Sequence, residues 1–231
     1  NALNKSIYAK KVFEYDIFYD IEFNDKKSIN CQARAVAIYV SIVRQNKKDY
    51  YLGSIAPDIS KQIGKNKVES HFLYNTKNSI PNTELFINKY PNFKQNSFDL
   101  GYFIHLYTDK LWFDGFIDKL TCSNSIRLLD GTILTTTEKE LRELIYSDYT
   151  NLNIKLIDDY NLDLSLFYDE FQIPNTNFKE IPVQKLNILI DQMGIIIENS
   201  KENKSFSFDI YSVKNFIEDS TSKILEELNK Y

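Results

Sequence analysis

The sequence predicts a mainly α-helical fold: a multi-helix bundle around a buried central helix at about 98–120, with a small β-hairpin near 126–135. The 231 residues include only six Gly and five Pro, and this scarcity of turn residues favours long helices over many short strands. Aromatic residues make up 14% of the chain, which indicates a core rich in Tyr and Phe rings. The helix predicted over 98–120 is apolar on all sides, so it belongs in the middle of the bundle.

Apolar residues at helical spacing predict the helices in the first half of the chain. We expect helices at about 3–18 and 28–44, and a short helix at 82–91. Residues 45–80 have few periodic runs and are predicted to be an extended functional loop region with a helical turn or two. This loop region contains a Pro-Asp turn and one of the two histidines.

Turn and capping residues predict a hairpin and the start of a helix in the second half of the chain. Asp130-Gly131 between two short apolar runs is a hairpin signal. Thr137 followed by Glu140 is a capping-box pair and opens a helix that runs to about Tyr160. Two further helices are expected, at 183–199 and 213–229. We interpret the chain as one helical domain, 1–231, with a motif region at about 50–112 and C-terminal helices at about 137–231 packing on it.

Charge and composition restrict the partners. The net charge is −4 and no basic stripe stands out, so nucleic acid is not expected as the main partner. No apolar run approaches the roughly 20 residues of a membrane-spanning helix. Cys31 and Cys122 are interpreted as free thiols of a cytoplasmic protein. A secreted or membrane-surface location stays open because the first residue is not Met.

The only two histidines, His71 and His105, are the strongest candidates for chemistry. His105 and Asp109 are four residues apart, so they lie on one face of the central helix. Asp58 follows Pro57, in a turn that would present its carboxylate rigidly. Two imidazoles and two carboxylates suit Zn²⁺, Mn²⁺ or Fe²⁺. The alternative is a structural His–Asp pair that ties helices together.

Three ordered motifs resemble the bacterial zinc-dependent phospholipase C-like family. They are the Gly-x-x-x-Pro-Asp turn that ends at Asp58, the Ser-His-Phe element around His71, and the Gly-Tyr-x-x-His-x-x-x-Asp helix with His105 and Asp109. The resemblance implies a mainly helical fold, a zinc-type site and hydrolysis of a phosphate ester. It also implies the metal ligands, which are Asp58, His71, His105, Asp109 and, from a weaker likeness of 142–153, Asp148. Asp58 and Asp109 are in addition the implied catalytic residues.

The chain departs from that family near its N-terminus. The family has a Thr-His pair before a run like Ala9–Val12, and the matching positions here hold Asn4 and Lys5. Protonated Lys does not bind metal, and an ammonium group beside Asp58 or Asp109 could substitute for the cation. Occupancy by Zn, Mn or Fe therefore stays open at this stage.

The remaining lysines and glycines of the loop region carry weaker signals. Gly64-Lys65 has the dipeptide of a phosphate loop without the required spacing. The lysines between Lys61 and Lys67 are interpreted as a solvated loop, with steering of an anionic substrate as the alternative.

The function predicted at this stage is a metal-dependent hydrolase of phosphate esters, acting on a small molecule or a lipid head group. The alternative is a catalytically inactive helical binding or scaffold module that keeps the His/Asp cluster as a structural site. A nucleotide phosphohydrolase ranks last, because it would need an adjacent His-Asp pair and neither histidine is followed by Asp.

Overall fold

The computed structural model describes residues 47–76, 80–117, 121–122, 125–162, 173–199 and 207–231. From Lys48 onward these residues belong to one compact unit, Lys48–Tyr231. The helices expected at 3–18 and 28–44, and Lys5 with them, lie outside the described residues. The interpretation of 1–231 as a single domain therefore stays a prediction.

The described chain is mainly helical, and the predicted fold class is confirmed. Residues 47–55 are helical and are called α1. A 3₁₀ turn covers Ala56–Asp58, and later 3₁₀ turns cover Phe93–Gln95 and Val183–Lys185. The other helices are α2 (Ile59–Gln62), α3 (Thr83–Lys89), α4 (Ser97–Leu111), α5 (Glu138–Tyr160), α6 (Asn187–Asn199) and α7 (Ile210–Leu228).

Helix α4 is the buried helix that the sequence predicts. It begins where the Asn96 side chain accepts hydrogen bonds from the backbone amides of Phe98 and Asp99, which satisfies two otherwise unpaired donors. Its first ten residues are mostly buried, and it contacts α3, α7 and two 3₁₀ turns. At its C-terminal end it passes into a π-helical turn, Trp112–Phe116.

The expected hairpin is present. Strands β1 (Thr121–Cys122), β2 (Ser125–Arg127) and β3 (Ile133–Thr135) form an antiparallel sheet in the order β1-β2-β3. Gly131 has a φ of 85°, a value that favours glycine because it has no Cβ. The amide of Leu128 donates to the carbonyl of Thr132, so three residues rather than two form the tip.

The predicted capping box at the start of α5 is also present. The Thr137 hydroxyl accepts from the Glu140 amide, and the Glu140 carboxylate accepts from the Thr137 amide. These two bonds satisfy donors at the helix start that have no partner within the helix. The helix ends at Tyr160, followed by Asn161 in the left-handed conformation.

Two aromatic clusters fill the interior. The first surrounds Phe86, which is fully buried and packs against rings from α4 and from the segment before α6. Within it Tyr102 and Phe178 stack at a centroid distance of 4.4 Å. The second joins the π-helical turn after α4 with α5 and α7 around Trp112 and Phe208. The high Tyr and Phe content of the sequence is thus used in the core.

The region 45–80, expected to be a loop with a helical turn or two, is instead helical over residues 47–62. It contains α1, the 3₁₀ turn Ala56–Asp58, α2 and a further helical turn in which the His71 amide donates to the Lys67 carbonyl. Gly64, with a φ of 72°, ends α2: its amide and that of Lys65 donate to carbonyls of the last helical turn. Gly64-Lys65 is therefore a helix cap. Such short helices are stabilised by caps and packing, and their sequence periodicity is too brief to detect.

Helices α1 and α4 approach each other closely at two glycines. A Cβ added to Gly53 would lie 2.0 Å from the carbonyl oxygen of Phe98. A Cβ added to Gly101 would lie 2.1 Å from the carbonyl oxygen of Tyr50. Only hydrogen atoms fit at these positions, so the two helix backbones are in direct contact.

Gly101→Ala is expected to destabilise the protein, although Ala is the better helix former by about 1 kcal/mol. Overpacking against the Tyr50 carbonyl should lower the free energy of unfolding by about 1–3 kcal/mol, measured by urea denaturation. Gly115→Ala is the matched control, because no described atom lies within 4 Å of its added Cβ. Equal stability of the two variants would contradict the close contact.

Candidate metal centre

Asp58 lies at the junction of the 3₁₀ turn and α2, directly after Pro57. Aspartate at a helix start usually accepts a hydrogen bond from the helix amides. Within the described chain, the Asp58 side chain makes no such capping bond. Its carboxylate is partly exposed and faces Lys67 and His71 instead. The turn thus presents this carboxylate to the segment that follows α2.

His71 ends the helical turn that begins near Lys67. The next residue, Phe72, has a φ of 53° and takes the left-handed position at which helices usually have glycine. Its amide donates to the Glu69 carbonyl, and the Leu73 amide donates to the Val68 carbonyl, which is the Schellman pattern of helix ends. The Phe72 ring is buried, and this burial offsets the backbone strain. The abrupt end of the turn fixes where His71 lies.

The His71 segment is also attached to α4. The Tyr102 hydroxyl donates to the Ser70 carbonyl at 2.5 Å, and both residues are buried. The His71 side chain is only 2% exposed. An unpaired buried carbonyl would be costly, so Tyr102 is the group that makes this burial tolerable. The imidazole is held against the helix that carries the second histidine.

Helix α4 supplies His105 and Asp109 from one face. The Nδ1 atom of His105 lies 2.8 Å from the carbonyl oxygen of Ser54 in α1. The close approach at Gly53 and Gly101 brings this carbonyl within reach. The Oδ2 atom of Asp109 lies 3.6 Å from His105 Nε2 and 3.7 Å from His71 Nε2. Two elements far apart in sequence therefore meet at these side chains.

Asp58, His71 and His105 form a group that can hold a metal ion. Each offers one donor atom, and these three atoms all lie within 4.8 Å of one another. The two Nε2 atoms are 3.4 Å apart, and Asp58 Oδ1 is 3.6 Å from His71 Nε2. Ligands about 2.0–2.1 Å from a tetrahedral ion lie about 3.3–3.4 Å from each other. The spacing of the imidazoles matches that geometry closely.

The hydrogen-bond partners favour one tautomer for each histidine. A carbonyl only accepts, so His105 Nδ1 carries the hydrogen that Ser54 accepts. Lys67 only donates, and its Nζ lies 3.3 Å from His71 Nε2, so that nitrogen presents its lone pair. His71 Nδ1 then donates to the Ser70 hydroxyl at 3.0 Å. When both rings are neutral, their Nε2 lone pairs point toward the same position, as they do in histidine metal sites.

Lys67, interpreted from the sequence as part of a solvated loop, has a role in the cluster that sequence reasoning missed. Its Nζ lies 2.5 Å from Asp58 Oδ1, so the ammonium contacts two of the candidate ligands. The signal was present, because Lys67 and His71 are four residues apart and share one face of a helical turn. Within the described chain, the ammonium group beside Asp58 belongs to Lys67.

The charges of the cluster shift the pKa values of its members. Burial alone would raise the pKa of Asp58, but hydrogen bonding and the neighbouring Lys67 ammonium hold it well below its usual range. Burial lowers the pKa of His71 despite the nearby carboxylate. Asp58 raises the pKa of Lys67 against the effect of burial. The cluster thus contains a carboxylate anion, an ammonium cation and a neutral His71 at neutral pH.

The structure places Asp148 outside this cluster. Its side chain is completely buried in α5, and Oδ2 accepts hydrogen bonds from the amides of Ser207 and Phe208. Those amides precede α7, so Asp148 fixes the approach to that helix. A carboxylate that accepts two backbone bonds has a structural role that requires no metal.

Comparison with known proteins bears on the N-terminal part. Residues 1–69 match a family model described as DarT1-associated NADAR antitoxin. The match covers less than a third of the chain. Of the described residues it includes 47–69, and so Asp58 and Lys67. Neither the curated proteins nor the solved structures give a significant match.

The resemblance to the zinc-dependent phospholipase C-like family is therefore wrong, and so is the hydrolase function inferred from it. The matching family is an antitoxin family. Nothing in the comparisons specifically supports the alternative of an inactive scaffold module. The physical reason for the error is that His and Asp at metal-ligand spacing occur in many unrelated folds. Such spacing indicates what a site can bind and leaves the family undetermined.

No helix among the described residues has both the length and the apolar character needed to cross a membrane.

Asp148→Ala is expected to lower the free energy of unfolding by at least about 2 kcal/mol, because two buried amides lose their acceptor. Asp158→Ala, an exposed position on the same helix, should change it by less than about 0.5 kcal/mol. Denaturant titration measures both values. Neither variant should bind less zinc than the parent protein, and a loss of zinc in Asp148→Ala alone would place Asp148 in the centre.

Proposed function

We propose that this protein is an antitoxin that counteracts a toxin of the DarT1 class. The observation that carries the proposal is the match of residues 1–69 to the DarT1-associated NADAR antitoxin family. The expected phosphate-ester or lipid-head-group ligand was implied by the phospholipase resemblance and is not part of this proposal. The cytoplasmic location stays a prediction.

The second part of the proposal is that the centre binds a transition-metal ion and that antitoxin action depends on it. The support is the pair of Nε2 lone pairs that face one place beside the Asp58 carboxylate. Two imidazoles favour Zn²⁺, Mn²⁺ or Fe²⁺ over Mg²⁺ and Ca²⁺, which prefer oxygen ligands. We name Asp58, His71 and His105 as ligands, with Asp109 as a fourth.

The two parts are connected by the position of the ligands along the chain. Asp58 lies inside the matched segment, whereas His71, His105 and Asp109 lie beyond residue 69. An ion shared by these side chains would tie the end of the matched segment to α4. This link gives the centre a role in antitoxin action without assigning it a reaction.

Co-expression with a DarT1-class toxin from an inducible promoter tests the antitoxin role. The chain should restore growth that the toxin alone arrests. Asp109→Asn should abolish the restoration because it alters the centre. Asp114→Asn, at an exposed position just after α4, should leave it intact.

Immunoblots and thermal unfolding curves must show that the variants are present and folded. Failure of the unaltered chain to restore growth would overturn the antitoxin role. Restoration by Asp109→Asn at the level of the parent chain would instead separate the antitoxin role from the centre.

Metal content tests the centre itself. Protein incubated with Zn²⁺ and desalted should retain about one ion per chain, measured by elemental analysis, and His105→Gln should retain less than about a tenth of that amount. Gln keeps the side-chain size and lacks the imidazole lone pair. A chain that retains no Zn²⁺, Mn²⁺ or Fe²⁺ would refute the metal assignment while leaving the family match in place.

A further inference from the structure

The position of Lys67 conflicts with metal binding at the same centre. Its ammonium is 2.5 Å from Asp58 Oδ1 and 3.3 Å from His71 Nε2. These are two of the atoms that an ion would use. The contact with Asp58 is a charge-assisted hydrogen bond, which is among the stronger kinds in proteins.

His71 has too few lone pairs to bind Lys67 and a metal ion at the same time. A neutral imidazole has a single acceptor nitrogen with one lone pair. His71 Nε2 cannot accept a hydrogen bond from Lys67 and donate the same lone pair to a metal. An ion that binds His71 must therefore displace the ammonium from it.

Electrostatic repulsion also opposes the presence of a metal ion and the Lys67 ammonium in the centre together. An ion about 2.1 Å from Asp58 Oδ1 would lie at most about 4.6 Å from Nζ in its present position. Two cations at that distance repel each other strongly in a partly buried site. The ammonium also neutralises the carboxylate that would otherwise attract the ion.

The Lys67 side chain can leave the centre on its solvent-exposed side. Its side chain is 35% exposed and Asp58 is 42% exposed, whereas His71 is 2% exposed and His105 13%. The cluster is thus open to solvent on the Lys67 side and closed on the histidine side. A flexible four-carbon chain can move its ammonium into water there without disturbing the core.

We propose that Lys67 is a built-in competitor for the metal, whose ammonium occupies the centre in the metal-free protein and leaves it when an ion binds. The inference rests on the metal binding proposed above and concerns its regulation. In metal-free protein the ammonium balances the charge of Asp58. The apparent metal affinity is then the intrinsic affinity multiplied by the fraction of molecules in which Lys67 has moved away.

Zinc affinity, measured by competition with a chromophoric chelator, tests this exchange. If Lys67 is out of the centre in less than a tenth of the molecules, Lys67→Met should tighten the dissociation constant by more than about tenfold. Lys65→Met removes the same charge from an exposed position two residues away. It should change the constant by less than about twofold, because exposed charges are screened. Lys67→Arg keeps the competing cation and should not tighten binding.

Each outcome separates the inference from the function on which it rests. Equal or weaker zinc binding by Lys67→Met overturns the competitor role and leaves the metal centre intact. Binding by Lys67→Met with none by the unaltered chain would show that Lys67 blocks the site outright, contrary to the exchange inferred here. No binding by either protein overturns the proposed centre as well.

A second measurement requires no substitution of Lys67. Acetylation of the unaltered protein, quantified by mass spectrometry, should label Lys67 faster after zinc is added and leave Lys65 unchanged. In His105→Gln the addition of zinc should have no effect on Lys67. Unchanged labelling of Lys67 in zinc-loaded protein would show that the ammonium stays in place, contrary to the inference.

Discussion

The direct backbone contact between α1 and α4 is the constraint on which the centre depends. Gly53 and Gly101 lie at this crossing, and a side chain at either would meet a carbonyl of the other helix at about 2 Å. Because the helices approach so closely, the Ser54 carbonyl reaches His105 Nδ1 at 2.8 Å. That bond orients the ring and leaves the Nε2 lone pair for the centre. Helix packing thus determines the tautomer of a candidate ligand.

His71 is oriented by a separate set of interactions that leads to the same result. Phe72 adopts a left-handed conformation at a cost of roughly 1–3 kcal/mol, which burial of its ring in the aromatic core offsets. Tyr102 satisfies the Ser70 carbonyl, and the Ser70 hydroxyl pairs with His71 Nδ1. Both imidazoles are therefore held by hydrogen-bond partners before any ion arrives, and a site organised in advance loses little entropy on binding.

The sequence predicts the features that arise from local chemistry. The capping box at Thr137, the hairpin around Gly131 and the central helix α4 all follow from short-range patterns. Helices α1 and α2 within 45–80 could not be predicted, since their stability comes from caps and from packing against α4. The environments of Lys67 and Asp148 depend on which elements meet in space. The resemblance to phospholipases failed for a related reason, because ligand spacing reflects metal chemistry that many families share.

The ammonium of Lys67 explains how such a centre is compatible with a folded metal-free protein. A buried His71 beside two carboxylates would leave negative charge in a poorly solvated place, which is costly without a counter-ion. Lys67 provides that charge from within the chain, and an ion that replaces it adds stability in proportion to its binding free energy. Because Asp58 and Lys67 belong to the family-matched segment while the histidines do not, the proposed exchange would take place where the end of that segment meets α4. A change of cation would therefore alter how firmly the turn at Asp58 is held to α4.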